Sequence, residues 1–360
     1  MARACTATIN LESIKRNFLY AKSLAPSSKV IAIIKADAYG HGAARVAKHL
    51  DNVADAFGVA CIEEALELRD SGIEKTAILL LEGIFELSEL SLVEEHNLMT
   101  VVCNSTQLEW LVKAKLTKQI TVFVKYDSGM CRLGFHEAEF YQAIKLLENS
   151  ENVNKIVLMT HFSKADEPYD IFTQKQIDSF NKIVGTTGHQ SSIANSAGIV
   201  AWRNSHKNYN RPGIMLYGSS PFSEARYQKN LIPSMTLSSN LISIKRFEKG
   251  QGVGYGSRFI CPHNMLIGVV AAGYADGYPR HANDGTPVYI NGTRSRIVGR
   301  VSMDMLTIDL TNIPNPQIGD KVELFGNNIA INEVAEYCNT ISYEIMSKIT
   351  RRVYKEYISS

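Results

Sequence analysis

The sequence predicts a (β/α)8 TIM-type barrel followed by a mainly β C-terminal domain, and three observations predict it. Short, wholly apolar runs recur through the first part of the 360-residue chain, most of them followed by a segment of helical periodicity. About eight such runs occur, the number at which right-handed parallel crossovers close on themselves. Near residue 230 the texture changes to short strands separated by turn signals. An open doubly wound sheet is the competing arrangement for the first part.

The elements follow in order. Leu11, Ile14 and Phe18 share one helical face. The run 30–34 is apolar at every position, which suits a strand buried on both faces. Similar runs lie at 56–60, 77–81, 98–102, 120–124, 156–160 and 191–195, with a less regular one at 209–216. Between them, 105–114 reads as a helix with Ser105 as N-cap and Leu108, Leu111 and Val112 inward; 137–147 and 173–184 read likewise. After Pro233, strands are expected at 235–247, 266–272, 287–290, 296–298, 305–310 and 321–325. Asn291-Gly292 is a strong hairpin turn. Only 331–338 and 344–349 read helical in the tail, so the expected domains are 1–229 and 230–360.

Composition removes several classes of function. The 38 Lys and Arg against 36 Asp and Glu leave a net charge of +2, without the basic excess of a nucleic-acid binder. No apolar stretch is long enough to span a membrane, and the N-terminus lacks an export signal. Six cysteines without a C-x-x-C read as free thiols in a reducing, cytoplasmic setting. The nine histidines show no H-E-x-x-H, so metal catalysis has no support.

The first apolar run leads into Lys35, at the end where barrel active sites open. An amine in partly apolar surroundings can form a Schiff base. The run Lys35 to Gly42, KADAYGHG, resembles the cofactor-lysine motif of the alanine racemase family, which holds pyridoxal 5′-phosphate on that lysine. Further motifs of that family follow in the same order. They are Asp127-Ser128-Gly129-Met130-Cys131-Arg132-Leu133-Gly134, Thr160-His161-Phe162, Ala194-Asn195-Ser196-Ala197 and Arg211-Pro212-Gly213-Ile214. Gly252-Val253-Gly254-Tyr255-Gly256, Gly273-Tyr274-Ala275-Asp276-Gly277, Gly299-Arg300-Val301-Ser302-Met303-Asp304 and Arg352-Val353-Tyr354 complete the set. The tail lacks the proline that many relatives carry before that last motif.

The resemblance implies a pyridoxal-phosphate barrel followed by a β domain, and interconversion of L- and D-alanine that supplies D-alanine for peptidoglycan. It implies two bases, Lys35 on the D face of Cα and Tyr255 of the partner subunit on the L face, in a homodimer with shared sites. His161, with Arg211 behind it, would assist the tyrosine. Arg211 would also donate to the pyridine nitrogen and keep it unprotonated, weakening the electron sink. Tyr39, Asn195, Ser196, Gly213, Ile214 and Tyr354 would hold the cofactor, mainly through its phosphate. Arg132 and Met303 would take the substrate carboxylate, and Asp166, Tyr274, Arg280 and Arg300 would line the outer approach. Lys125 stands where many relatives carry a carbamylated lysine, with an ordinary Lys125–Asp127 pair as the alternative. A serine or broader amino-acid racemase is the alternative activity on this scaffold. A non-catalytic carrier of the cofactor is the alternative outside catalysis, although such carriers lack a domain like 230–360.

Overall fold

The computed structural model describes residues 4–359. Thr6–Asn10 (β1) comes first, then Lys29–Ile33 (β2), Ala56–Val59 (β3), Ala77–Leu80 (β4), Leu98–Val102 (β5) and Ile120–Lys125 (β6). Val153–Met159 (β7), Gln190–Ser192 (β8) and Tyr209–Asn210 (β9) follow. Strands β2 to β9 form a closed barrel in sequence order, joined through Lys29↔Tyr209 and Val30↔Asn210. The apolar runs become these strands because both of their faces are covered; every residue of β3 is buried. The intervening helices bury a single stripe. Glu137–Glu148 buries Phe140, Ala143, Ile144 and Leu147, an i, i+3, i+4, i+7 pattern.

Two barrel expectations need correction. The last strand is two residues long, not a run through 216, because Pro212 offers no N–H to a ladder and the chain turns into the 3-10 segment Ile214–Tyr217. Helix Ser105–Lys113 is capped by Asn104, whose side chain accepts from the Gln107 amide at 2.9 Å, and not by Ser105.

The later strands are Met235–Phe247 (β10), Gly252–Val253 (β11), Phe259–Ile260 (β12), Met265–Val270 (β13), Pro287–Ile290 (β14) and Thr293–Arg296 (β15). Leu306–Asp309 (β16), Lys321–Phe325 (β17) and Tyr354–Ile358 (β18) complete them. The long strand β10 organises this sheet, pairing antiparallel with β1, β13 and β17. Asn291 and Gly292 both take positive φ, the geometry of a tight hairpin turn, and join β14 to β15 with Ile290 opposite Thr293.

The chain divides into two compact units. One is Lys15–Leu216 with Ser220–Leu231; the other takes residues up to Ile14, Tyr217–Ser219 and everything from Ile232 onward. The N-terminal residues group with the β unit because Thr6–Asn10 alternates in burial and pairs with both β10 and β18. Among the described residues, no helix is long and apolar enough to cross a membrane.

Candidate active site

The barrel interior is filled by Ile31, Ile33, Leu79, Leu81, Val101, Phe123, Val157, Met159 and Tyr209. Side chains of a strand alternate sides, so stepping two residues past these positions names the next inward layer. From Ile33 the step reaches Lys35, from Phe123 Lys125, from Met159 His161, and from Tyr209 Arg211. All four stand at the C-terminal end of the strands, where barrel chemistry is placed.

Past Lys35 the backbone does something unusual. Ala36, Asp37, Ala38 and Tyr39 all take φ between 52° and 54° with ψ between 42° and 52°, a turn of left-handed helix made without glycine. Such a turn costs about 1–2 kcal/mol per residue and persists only if its surroundings impose it. Here the Ala36 amide donates to Glu64 at 2.7 Å, and the Ala43 amide to Asp37 at 2.7 Å. The buried His41 ring holds the Ala38 and Tyr39 carbonyls at 3.0 and 3.1 Å. The turn carries Tyr39 over Gly213, where a Cβ would lie 2.9 Å from the Tyr39 hydroxyl. The Ser196 hydroxyl accepts from the Gly213 amide at 2.9 Å, and Asn195 caps the next helix through the Gly198 amide at 2.9 Å. Burial pushes the Tyr39 phenol up to about 12, so it stays a hydrogen-bond donor. Hydroxyls and amides gathered this way form a cradle for an anion.

Arg211 is buried, 3% exposed. Its Nη2 donates to the Thr160 carbonyl at 2.7 Å and the Ile193 carbonyl at 3.2 Å, and lies 3.4 Å from His161 Nδ1. Its Nη1 donates to the Ser192 hydroxyl. All four contacts use the terminal nitrogens, which leaves Nε for another acceptor. Burial lowers the Arg211 guanidinium to about 10, still charged at neutral pH. Burial first, then the charges of Arg211, Lys125, Arg132 and Lys35, holds His161 well below the ordinary imidazole range. Histidine at this site is therefore neutral, and the cationic charge behind it resides on Arg211. Burial and the nearby Arg211 lower Lys125 to about 8.

Arg132 sits on a closed lobe between strand end and helix. The Asp127 carboxylate accepts from the Gly129 and Cys131 amides at 2.9 and 3.0 Å, which commits it to the loop. Phe135 and Lys125 close the neck through a 2.9 Å backbone bond. Ser128 bonds Thr160 at 2.7 Å, and the buried Gln176 reaches Ser128 at 3.0 Å and the His161 carbonyl at 3.2 Å. Asp166 is exposed on the segment after β7.

The remaining expected residues lie in the β unit. Tyr255 is 69% exposed at the tip of a turn whose Gly254, Gly256 and Ser257 have positive φ. Met303 is 52% exposed on the loop between β15 and β16 that also carries Arg300. That loop is bonded to the Tyr274 turn by Tyr274 N to Ser302 O at 3.0 Å and Ala275 N to Met303 O at 2.9 Å. Tyr274 and Arg280 line one cavity of about 290 Å³. Tyr354 opens β18.

Sequence reasoning missed three contributors. Glu82, one residue beyond an apolar run as Lys35 is, places Oε1 3.7 Å from Lys35 Nζ. Gln107 secures that turn, donating to the Glu82 and Ile84 carbonyls at 3.0 and 2.9 Å. Ser192 had no signal, since a hydroxyl at the end of a short strand is unremarkable until Arg211 is seen beside it. Among the described residues, no group of three or more His, Cys, Asp or Glu side chains could hold a metal ion.

A closed parallel barrel thus presents an amine, a buried guanidinium and a group of hydroxyls at one end, and a β-sheet unit follows it in the chain. The family model described as "Alanine racemase, N-terminal domain" matches residues 9–221, and "Alanine racemase, C-terminal domain" matches 234–357. The chain is 46% identical over 357 residues to an alanine racemase of Pseudomonas taetrolens, covering 99% of each. It superposes on the biosynthetic alanine racemase of Pseudomonas aeruginosa with a TM-score of 0.96 at 42% identity, covering 99% of both chains. It matches the alanine racemase of Bartonella henselae with covalently bound pyridoxal phosphate at a TM-score of 0.90 and 29% identity, again covering 99% of each. The chain belongs to the alanine racemase family.

Proposed function

We propose that this chain interconverts L- and D-alanine with pyridoxal phosphate carried on Lys35. In this reading Lys35 and Tyr255 of the partner subunit exchange protons with opposite faces of Cα. The observation that carries the reading is the layer at the barrel end: Lys35 at the tip of β2, with the buried Arg211–His161 contact of 3.4 Å among its charged neighbours.

The residues fit the cofactor. Tyr39, the amide of Ile214 and the Ser196 hydroxyl, which accepts from the Gly213 amide and so has its proton to donate, suit its phosphate, and the Asn195-capped helix start stands beside them. Arg211 Nε suits the pyridine nitrogen, to which a guanidinium only donates. When bound, pyridoxal phosphate supplies the electron sink that makes the Cα proton removable. Arg132 holds the substrate carboxylate, with the Met303 amide of the partner subunit completing the grip. Lys35 and the partner's Tyr255 then take and return the proton on the two faces.

The exposure of Tyr255 and Met303 on turn tips supports a two-fold dimer in which each β unit completes the other subunit's site. Asp166, Tyr274, Arg280 and Arg300 then line the approach.

Incubating cofactor-loaded protein with L-alanine, followed by chiral analysis, tests the activity; absence of D-alanine overturns it. Borohydride reduction and peptide mapping should leave the pyridoxyl group on Lys35, and a label on Lys125 or Lys164 would move the assignment. Mixing Lys35→Ala with Tyr255→Phe protein tests the shared site. Random exchange makes half the dimers mixed, each with one intact site, so about one quarter of wild-type sites should return.

A further inference from the structure

We propose that Arg258, with Asp284, is a positioning residue that fixes the Tyr255 turn against the loop carrying Arg300 and Met303. The proposal rests on the reading of Tyr255 as the second base.

Tyr255 occupies a poor place for a precise acid–base group. Its turn is exposed, and three of its residues, Gly254, Gly256 and Ser257, have positive φ. The hairpin beneath it is two residues per strand, Gly252 opposite Ile260 and Val253 opposite Phe259. A hairpin that short holds little by itself.

Arg258 is the first residue beyond the turn, and it reaches away from the hairpin. Its Nη2 is 2.9 Å from the Ala282 carbonyl, 3.0 Å from the Gly299 carbonyl and 3.2 Å from Asp284 Oδ1. The same Asp284 oxygen accepts from the Gly299 amide at 2.6 Å. Arg258 thus grips the Gly299 carbonyl directly and its amide through Asp284, at the residue before Arg300. The approach is close: a Cβ on Gly299, at φ 79°, would meet the Val253 carbonyl at 2.9 Å. From Gly299 the loop runs to Met303, whose carbonyl takes the Ala275 amide at 2.9 Å. Arg352 further ties Asp304 at 2.7 Å and Asp276 at 3.6 Å. The turns bearing Tyr255, Met303 and Tyr274 are therefore one bonded assembly, and Arg258 is the side chain that brings the Tyr255 turn into it. A displacement of about 1 Å in a reacting group can cost a hundredfold in rate, so this anchor governs kcat while leaving substrate binding at Arg132 in place.

The test is a double-mutant cycle on the cofactor-loaded dimer with Arg258→Met and Tyr255→Phe. Arg258→Met alone should lower kcat about ten- to a hundredfold with KM for alanine within about twofold. In the Tyr255→Phe background the same change should have no further effect on kcat, because Arg258 acts through Tyr255. Chymotrypsin should nick Arg258→Met at Tyr255 faster than wild type. Arg258→Lys should restore part of kcat, and Asp284→Asn, which still offers an acceptor to the Gly299 amide, covers the case in which Arg258→Met fails to fold. A further tenfold loss in the double variant, or wild-type kcat in Arg258→Met beside an inactive Tyr255→Phe, overturns the proposal. An active Tyr255→Phe overturns instead the reading on which it rests.

Discussion

Arg211 Nη2 lies 3.4 Å from His161 Nδ1, and this contact fixes a tautomer. A guanidinium has no acceptor, so Nδ1 must carry the lone pair and Nε2 the proton. Burial and the surrounding cations keep the ring neutral. Its Nε2–H is then the donor available to the phenolic oxygen of the partner subunit's Tyr255 in the proposed dimer. Nitrogen NMR of labelled imidazoles should show His161 as this tautomer and still neutral at pH values where free histidine is half protonated; a doubly protonated ring at pH 6.5 would contradict it.

Lys125 sets a pH dependence of stability. Its amine is lowered from 10.5 to about 8 in the folded chain. Between those values the unfolded chain binds the extra proton, so stability rises as pH climbs from about 8 to 10.5. Below pH 8 the buried ammonium is a full liability. In carbon-dioxide-free buffer Lys125→Met should gain up to about 3 kcal/mol at pH 7, and the gain should fade towards pH 10.5. Denaturant unfolding at several pH values measures this, and a pH-independent difference would refute it.

Arg211→Glu tests the electronic role proposed for the guanidinium, but at a cost in folding. A carboxylate can only accept, which would strand the Thr160 and Ile193 carbonyls and bury a like-signed group beside them. A loss of about 3–5 kcal/mol is expected, seen as a lower Tm. In the fraction that folds, pyruvate formed per racemisation event should rise. If pyruvate stays flat while racemisation is unchanged, Arg211 does not tune the cofactor.

Gly134→Ala should damage substrate binding more than cofactor binding. At φ 122° its new Cβ would meet the Asp127 amide nitrogen at 2.8 Å, the Tyr126 carbonyl carbon at 2.9 Å and the Lys125 carbonyl oxygen at 3.0 Å. All three atoms are backbone, so the neck of the Arg132 lobe has to open. Steady-state kinetics should show KM for alanine rising about tenfold or more, which corresponds to about 1.4 kcal/mol of lost binding. The cofactor absorbance should be retained; its loss would place the lobe's role elsewhere.

The sequence by itself determined about eight buried strands alternating with helices, because a strand covered on both faces must be apolar throughout; the closing pair of β2 with β9, which excludes an open sheet, is seen only in the structure. It also placed Lys35 at a strand end, one residue beyond the run 30–34, whereas His161 and Arg211 are named by family resemblance and take their places in the inward layer only in the folded barrel. Local turn chemistry was equally legible, as Asn291-Gly292 between β14 and β15 shows. Only the tertiary structure decided the rest. Thr6–Asn10 and Tyr354–Ile358 are short and partly exposed, and they become strands through pairing with each other across the length of the chain. The left-handed turn at Ala36–Tyr39 contradicts local preference and exists through Glu64, Asp37 and His41. The charge states of His161 and Lys125, and the grip of Arg258 on Gly299, depend on burial and on partners distant in sequence. Periodicity records which way a side chain faces; it carries no record of what another segment brings within 4 Å of it.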